Sequence, residues 1–239
     1  MPSRTSHTRL LIFDVFGTVV DWRGSIAREA AQLAQSRGVA LDPEAFADRW
    51  RAGYRPAMDR VRKGTLPWMN IDALHRLILD EMLPEFGLSG LSESERDRLN
   101  RAWHRLLPWP DSVAGLTRLK SKFIIAPLSN GNMALLTNLA KSAGLPWDCI
   151  LSAELFHHYK PDPETYLGAA ALMSVTPAET MLVAAHEDDL LAARGCGLLT
   201  AFVRRPLEFG PNPGFDLPRN RTFEYVADNF EDLAGQLGA

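Results

Sequence analysis

Short apolar runs separated by longer amphipathic stretches set the organisation of this chain. Residues 10–13, Leu-Leu-Ile-Phe, are unbroken apolar sequence, closed by Asp14 and a Gly17-Thr18 turn. A run of that length bounded by turn residues predicts a strand buried on both faces. Similar runs predict strands over 123–128, 149–151, 181–185 and 199–203, with a last one at 225–227. Helical spacing between them predicts helices over 112–120, 132–143, 163–172, 188–194 and 229–237, and Thr176-Pro177-Ala178-Glu179 a one-turn cap before strand 181–185. Strands alternating with helices imply parallel βαβ units. The predicted class is therefore α/β, with a Rossmann-like, doubly wound parallel sheet.

No strand pattern interrupts residues 22–107. Helices are predicted over 25–37, from Pro43 past Arg60, over 71–86, and from the Ser92-Glu93-Ser94-Glu95 capping box to about Arg105. Asp42-Pro43 is an N-cap with proline at the first helical position. The chain is thus expected to carry an all-helical cap domain, 22–107, inserted into a core of 1–21 and 108–239, with Pro108-Trp109-Pro110 as the hinge. Residues 206–221 hold four prolines and two glycines and read as a loop. Pro127 lies inside a predicted central strand, where it cannot donate a ladder hydrogen bond. Either the strand bulges there or pairing ends before Ser129.

Composition narrows the function classes. The 239 residues suffice for one substantial domain and a smaller one. A net charge of −3 argues against generic attraction to nucleic acid or an anionic membrane. No apolar run approaches the roughly 20 residues that span a bilayer. The polar stretch 1–9 and the short run after it do not make a signal peptide. Cys149 and Cys196 have no metal-binding spacing and read as free thiols in a reducing cytoplasm.

The candidate chemistry lies at the ends of the strands, because open α/β sheets bind ligands outside their carboxyl ends. Asp14 falls there, able to serve as nucleophile, metal ligand or turn cap. Ser129-Asn130-Gly131, His158-Tyr159-Lys160-Pro161-Asp162 and His186-Glu187-Asp188-Asp189 follow later apolar runs in the same way. Polar groups so placed can converge on one point above the sheet.

These four segments, in this order, resemble the motifs of the haloacid dehalogenase superfamily, and most of all its type II 2-haloacid dehalogenases. Asp14 and Thr18 match the first motif, Ser129-Asn130-Gly131 the second, Lys160-Pro161-Asp162-Pro163 with Tyr166 the third, and Asp189 the fourth. The resemblance covers nearly the whole chain. It implies a nucleophilic Asp14 that displaces halide from a short 2-halocarboxylate, an ester that water then hydrolyses, no cofactor, and a possible homodimer. It also implies that Lys160 keeps Asp14 ionised, that Thr18 orients it, and that Ser129 and Asn130 bind the substrate carboxylate. Tyr166 is expected as a substrate contact or as support. In the cap, Trp50-Arg51 stands where the family places an aromatic and an arginine that receives the halide, although many arginines crowd this stretch.

Two departures sharpen the reading. The superfamily's phosphatases carry a second Asp two residues after the nucleophile as general acid; here the residue is Phe16. A halide leaves without a proton, whereas an alcohol from a phosphate ester needs one. The phosphatases also bind Mg²⁺ through a Gly-Asp pair and further acids, and Mg²⁺ wants several oxygen ligands. Here the stretch reads Ala184-Ala185-His186, so no metal ligand is assigned. The type II enzymes usually carry Ser-x-Asn at that point, and His186 stands in for the Asn in placing water or substrate. Trp22, Trp68 and Trp109 are candidates for the core or the pocket wall. Two other readings stay open, a Mg²⁺-dependent phosphatase and a catalytically silent binder of small acids.

Overall fold

The structure, a computed structural model, describes residues 7–211 and 223–239. Its centre is a six-stranded parallel sheet with the order β5-β4-β1-β6-β7-β8. The strands are β1 (Leu10–Phe13), β4 (Ile124–Ser129), β5 (Leu151–Ser152), β6 (Thr180–Ala184), β7 (Leu199–Val203) and β8 (Tyr225–Ala227). Alternate residues of β1 point to opposite faces. Leu11 and Phe13 join one apolar cluster with Ile125, Val183 and Phe230, while Leu10 and Ile12 join another with Leu128, Leu182 and Tyr166. Helices α6 (Ser112–Lys120), α7 (Met133–Ala143), α8 (Pro163–Leu172), α9 (Glu187–Gly195) and α10 (Phe230–Leu237) complete the α/β pattern. The chain passes from β1 to β4 on one side and later to β6 on the other. The carboxyl end of β1 therefore lies at the switch point of the sheet, where such folds form a crevice.

Pro127 neither bulges the strand nor ends it. It stays in register opposite Phe13, and β4 continues to Ser129. The Ile125 N–H points away from β1, to Asp148 Oδ2 at 2.9 Å. Two residues on, the ring nitrogen of Pro127 faces the same way. Pairing with β5 begins only at Leu128, so no ladder bond is lost.

A two-stranded antiparallel ribbon, β2 (Val20–Asp21) with β3 (Leu107–Pro108), frames the helical segment. Helix α1 (Trp22–Arg37) begins earlier than expected because Asp21 caps it, accepting from the Gly24 N–H at 2.8 Å. The single helix expected from Pro43 past Arg60 is two helices, α2 (Pro43–Ala52) and α3 (Tyr54–Arg62). Pro56 has no N–H for the Ala52 carbonyl, so the ladder breaks there. Gly53 packs so closely that a Cβ would come within 2.4 Å of Ile78. Helix α4 (Ile71–Met82) tightens to a 3-10 turn at Leu83–Phe86, where Pro84 likewise lacks a donor. Helix α5 (Glu93–Asn100) passes into a 3-10 turn at Arg101–Arg105, which no residue type marks in advance. Of the loop read over 206–221, residues 212–221 lie outside the described residues.

Candidate active site

Strand β1 delivers Asp14 to the crevice, and its N–H still bonds the Val183 carbonyl at 3.0 Å, which fixes the backbone. The chain then turns sharply, and Thr18 folds back four residues to donate to Asp14 Oδ2 at 2.7 Å. The Thr18 hydroxyl also accepts from the Ala185 N–H at 2.9 Å, joining the ends of β1 and β6.

Two cationic side chains reach the same carboxylate. Lys160 Nζ donates to Asp14 Oδ1 at 2.9 Å and to Asp189 Oδ2 at 2.5 Å. His186 Nδ1 lies 3.0 Å from Asp14 Oδ2. Burial alone would raise the Asp14 carboxyl, but Lys160, His186 and Thr18 outweigh it and hold it far below the usual carboxylate range. Burial likewise works against charge on Lys160, and Asp14 and Asp189 reverse this, raising it. Asp189 moves the other way from Asp14: burial, reinforced by the nearby Asp14 charge, raises it. Of the two carboxylates that share Lys160, Asp14 is the one whose charged form the site favours more. Tyr166 donates to Asp189 Oδ1 at 2.5 Å from behind, fully buried and away from the cavity. It supports Asp189; the expectation of a substrate contact is corrected to that extent.

The cavity above Asp14 has a volume of about 240 Å³. Its floor comes from Asp14, Phe16, Ser129, Asn130, Lys160 and His186, its roof from Arg51, Tyr54, Arg55 and Met58 of the helical segment. Ser129 Oγ accepts from the Gly131 N–H at 3.0 Å, which leaves its own proton to donate. Asn130 Oδ1 accepts from the Lys160 N–H at 2.6 Å, while its amide nitrogen lies 3.5 Å from Met58 Sδ and from the Lys160 carbonyl oxygen. Phe16 packs edge-on against Trp103, with centroids 5.5 Å apart, and its tip approaches Gly131. It presents an apolar wall with no exchangeable proton.

Arg51 reaches the cavity, and its guanidinium lies 4.5 Å from the Tyr54 ring centroid and 5.6 Å from that of Trp22. Among the described residues it has no carboxylate partner, whereas Arg55 pairs with Asp188 at 2.6 Å and Arg62 with Asp162 at 3.1 Å. Trp50 does not line the cavity. It is fully buried among Phe46, His75 and Trp103 and donates to the His75 carbonyl at 2.9 Å. The reason is helical geometry: adjacent residues diverge around a helix, so Trp50 turns into the core while Arg51 faces the cavity, where Tyr54 at the start of α3 meets it. Trp68, stacked on Tyr159, and Trp109, bonded to the Gly17 carbonyl, do not line it either.

Sequence reasoning missed two further participants. Tyr54 is buried beside Arg51, and burial pushes its phenol up to about 12, so it keeps its proton. Its signal was the spacing from Arg51. Glu208 reaches His186 Nε2 with both oxygens, at 2.9 and 3.0 Å. Its only signal was its place between Leu207 and Phe209, an acid flanked by apolar residues in a loop otherwise marked by prolines.

The residues present do not fit Mg²⁺. A divalent cation needs oxygens with free lone pairs. Here Asp14 Oδ2 already meets Thr18 and His186, Asp14 Oδ1 meets an ammonium, and Asp189 is bonded by Lys160 and Tyr166. Among the described residues no three His, Cys, Asp or Glu side chains are grouped to hold a metal.

The chain belongs to the haloacid dehalogenase-like hydrolases, whose family model matches residues 8–197. It is 31% identical over 204 residues to (S)-2-haloacid dehalogenase 4A of Burkholderia cepacia, covering 82% of this chain and 83% of that one. A crystal structure of a defluorinating L-2-haloacid dehalogenase superposes with a TM-score of 0.95 at 47% identity, covering 99% of this chain and 98% of the other. The L-2-haloacid dehalogenase of Xanthobacter autotrophicus with chloropropionic acid covalently bound superposes with a TM-score of 0.80 at 25% identity, covering 97% and 99%.

Proposed function

We propose that this protein hydrolyses the carbon–halogen bond of short (S)-2-haloalkanoic acids and of haloacetate, giving 2-hydroxy acids through an ester on Asp14. The observation that carries the reading is a charged carboxylate at the carboxyl end of β1, held by Lys160, His186 and Thr18, beside Phe16 and beneath Arg51. A nucleophile of this kind splits one difficult displacement into two easier steps.

The substrate carboxylate is held by the Ser129 hydroxyl and the Asn130 amide. An Asp14 oxygen attacks the halogen-bearing carbon from the side opposite the halide and inverts it. Arg51, free of any carboxylate partner among the described residues, donates to the departing halide, with Tyr54 and Trp22 stacked against its guanidinium. Water then attacks the ester carbonyl and regenerates Asp14. Lys160 holds Asp14 charged before attack, Thr18 keeps its orientation, Asp189 and Tyr166 hold Lys160, and His186 serves the second half of the reaction.

In this account residues 22–107 act as a cap over a core of 1–21 and 108–239. The chain works in a reducing cytoplasm, a setting supported by the free Cys149 and Cys196, and as a homodimer, supported by the family resemblance alone. No described helix is long and apolar enough to cross a membrane.

The test is chloride release from chloroacetate with and without a chelator. Release that a chelator leaves unchanged is expected. Activity that a chelator abolishes and Mg²⁺ restores would support the phosphatase alternative, and no release at all the silent binder.

A further inference from the structure

Glu208 is the buried carboxylate that the reaction as described does not use. It is only 3% exposed, and Trp22 Nε1 donates to its Oε1 at 3.1 Å. The fold makes room for it: at Gly17, with φ of 87°, a Cβ would stand 2.1 Å from Glu208 Oε1. A side chain at this turn would displace the carboxylate. The imidazole of His186 thus bridges two anions, with Nε2 on Glu208 and Nδ1 on Asp14.

Resting on the reading of Asp14 as nucleophile, we propose that His186, oriented by Glu208, is the base that activates water for hydrolysis of the ester, and that esterification of Asp14 frees it for this task. Both nitrogens face carboxylate oxygens, so the resting ring carries both protons. Burial opposes that charge, but Glu208 and Asp14 together raise the imidazole well above its ordinary value. The other titratable and charged side chains lining the cavity are Lys160, bonded to Asp14, Asp188 and Asp189 in the first turn of α9, and Arg51, Tyr54, Arg55 and Arg62 from the helical segment. Arg205, near Glu208, is neutralised by Asp111, which its guanidinium grips at 2.8 and 2.9 Å.

Displacement removes one of the two anions, because the negative charge leaves with the halide and Asp14 becomes a neutral ester. The imidazolium then gives its Nδ1 proton to solvent, while Nε2–H stays on Glu208. In the second step the Nδ1 lone pair takes a proton from water as the water oxygen bonds to the ester carbonyl carbon. Collapse breaks the acyl–oxygen bond. One water proton ends on the hydroxy acid oxygen and the other on Nδ1, and Asp14 is again a carboxylate. The proton released earlier is the acid that accompanies halide in the overall reaction. Glu208 touches no reacting atom and is a positioning residue; it holds the ring with Nδ1 toward the ester.

The test is rapid-quench kinetics with chloroacetate on the full chain, reading chloride release and the mass of the Asp14 peptide. Glu208→Gln is expected to release a fast first equivalent of chloride, to accumulate the carboxymethyl ester, and to turn over about a hundredfold slower, within the usual range for a general base. Its ester hydrolysis is expected to reach its half-maximal rate at lower pH than in wild type, a shift that lost packing would not produce. His186→Gln leaves Glu208 and its Trp22 bond in place and is expected to give the same burst, with ester hydrolysis that has lost this pH dependence; it carries the test if Glu208→Gln does not fold. Variants that accumulate no ester, or slow both half-reactions equally, would overturn the proposal. A wild-type enzyme that releases no chloride would instead overturn the dehalogenase reading on which it rests.

Discussion

The Lys160 ammonium donates to Asp14 Oδ1 at 2.9 Å, and the two side chains are only 6% and 11% exposed. A buried ion pair is costly to break from one side, because the partner is left charged without compensation. Lys160 also separates Asp14 from Asp189.

Lys160→Met is therefore expected to cost about 3–5 kcal/mol of stability, as for other one-sided losses of a buried charge partner. It should also slow the first-turnover release of chloride by about a hundredfold or more, equivalent to roughly 2.7 kcal/mol of barrier. Urea unfolding and rapid-quench chloride release measure the two effects separately. Near-wild-type values for both would place the Lys160 charge outside the reaction.

Arg51→Ala is expected to slow chemistry most for the poorest leaving group, because fluoride depends most on donors in the transition state. The comparison is single-turnover release from bromoacetate and fluoroacetate. A loss several times greater for fluoroacetate is predicted; equal losses would make Arg51 a cap-packing residue stacked on Tyr54.

The raised His186 couples folding to pH with a definite sign. A group whose folded value exceeds its unfolded value adds stability in full below the unfolded value, here 6.5, and loses it as pH rises through the folded one. The gap in unfolding free energy between wild type and His186→Gln is thus predicted to be widest below about pH 6.5 and to shrink steadily above it. Urea melts across a pH series measure it. A gap that widened with pH would mean that the folded protein holds His186 neutral.

The α/β class was legible because two-sided burial of β1, β4, β6 and β7 leaves apolar runs too regular to mistake. What was less legible depends on contacts distant in sequence. The break between α2 and α3 follows from one missing donor at Pro56, which a continuous helical pattern hides. Pro127 looked like a fault because the side on which its nitrogen falls is set by β5 and Asp148. Asp14, Thr18, Lys160, Asp189 and His186 could be singled out since each stands at or after a strand end, where a parallel sheet gathers polar groups, and the structure brings them together. Trp50 came from the resemblance, which sets an aromatic beside the cap arginine; the ring that lies on Arg51 is that of Tyr54, while Trp50 is turned into the core. Glu208 was missed because it meets His186 only through the return of the chain after β7, which no local pattern marks.

The central claim is that Asp14 forms a covalent ester, and the fate of its oxygen tests that most directly. A single turnover of chloroacetate in ¹⁸O-water, with enzyme in excess, places the nucleophile's oxygen in the product. The account predicts largely unlabelled glycolate and ¹⁸O in the peptide containing Asp14, read by mass spectrometry. Label in the first-turnover glycolate with none in Asp14 would show direct attack by water and contradict it, even if Asp14→Asn were inactive, since both routes need that carboxylate.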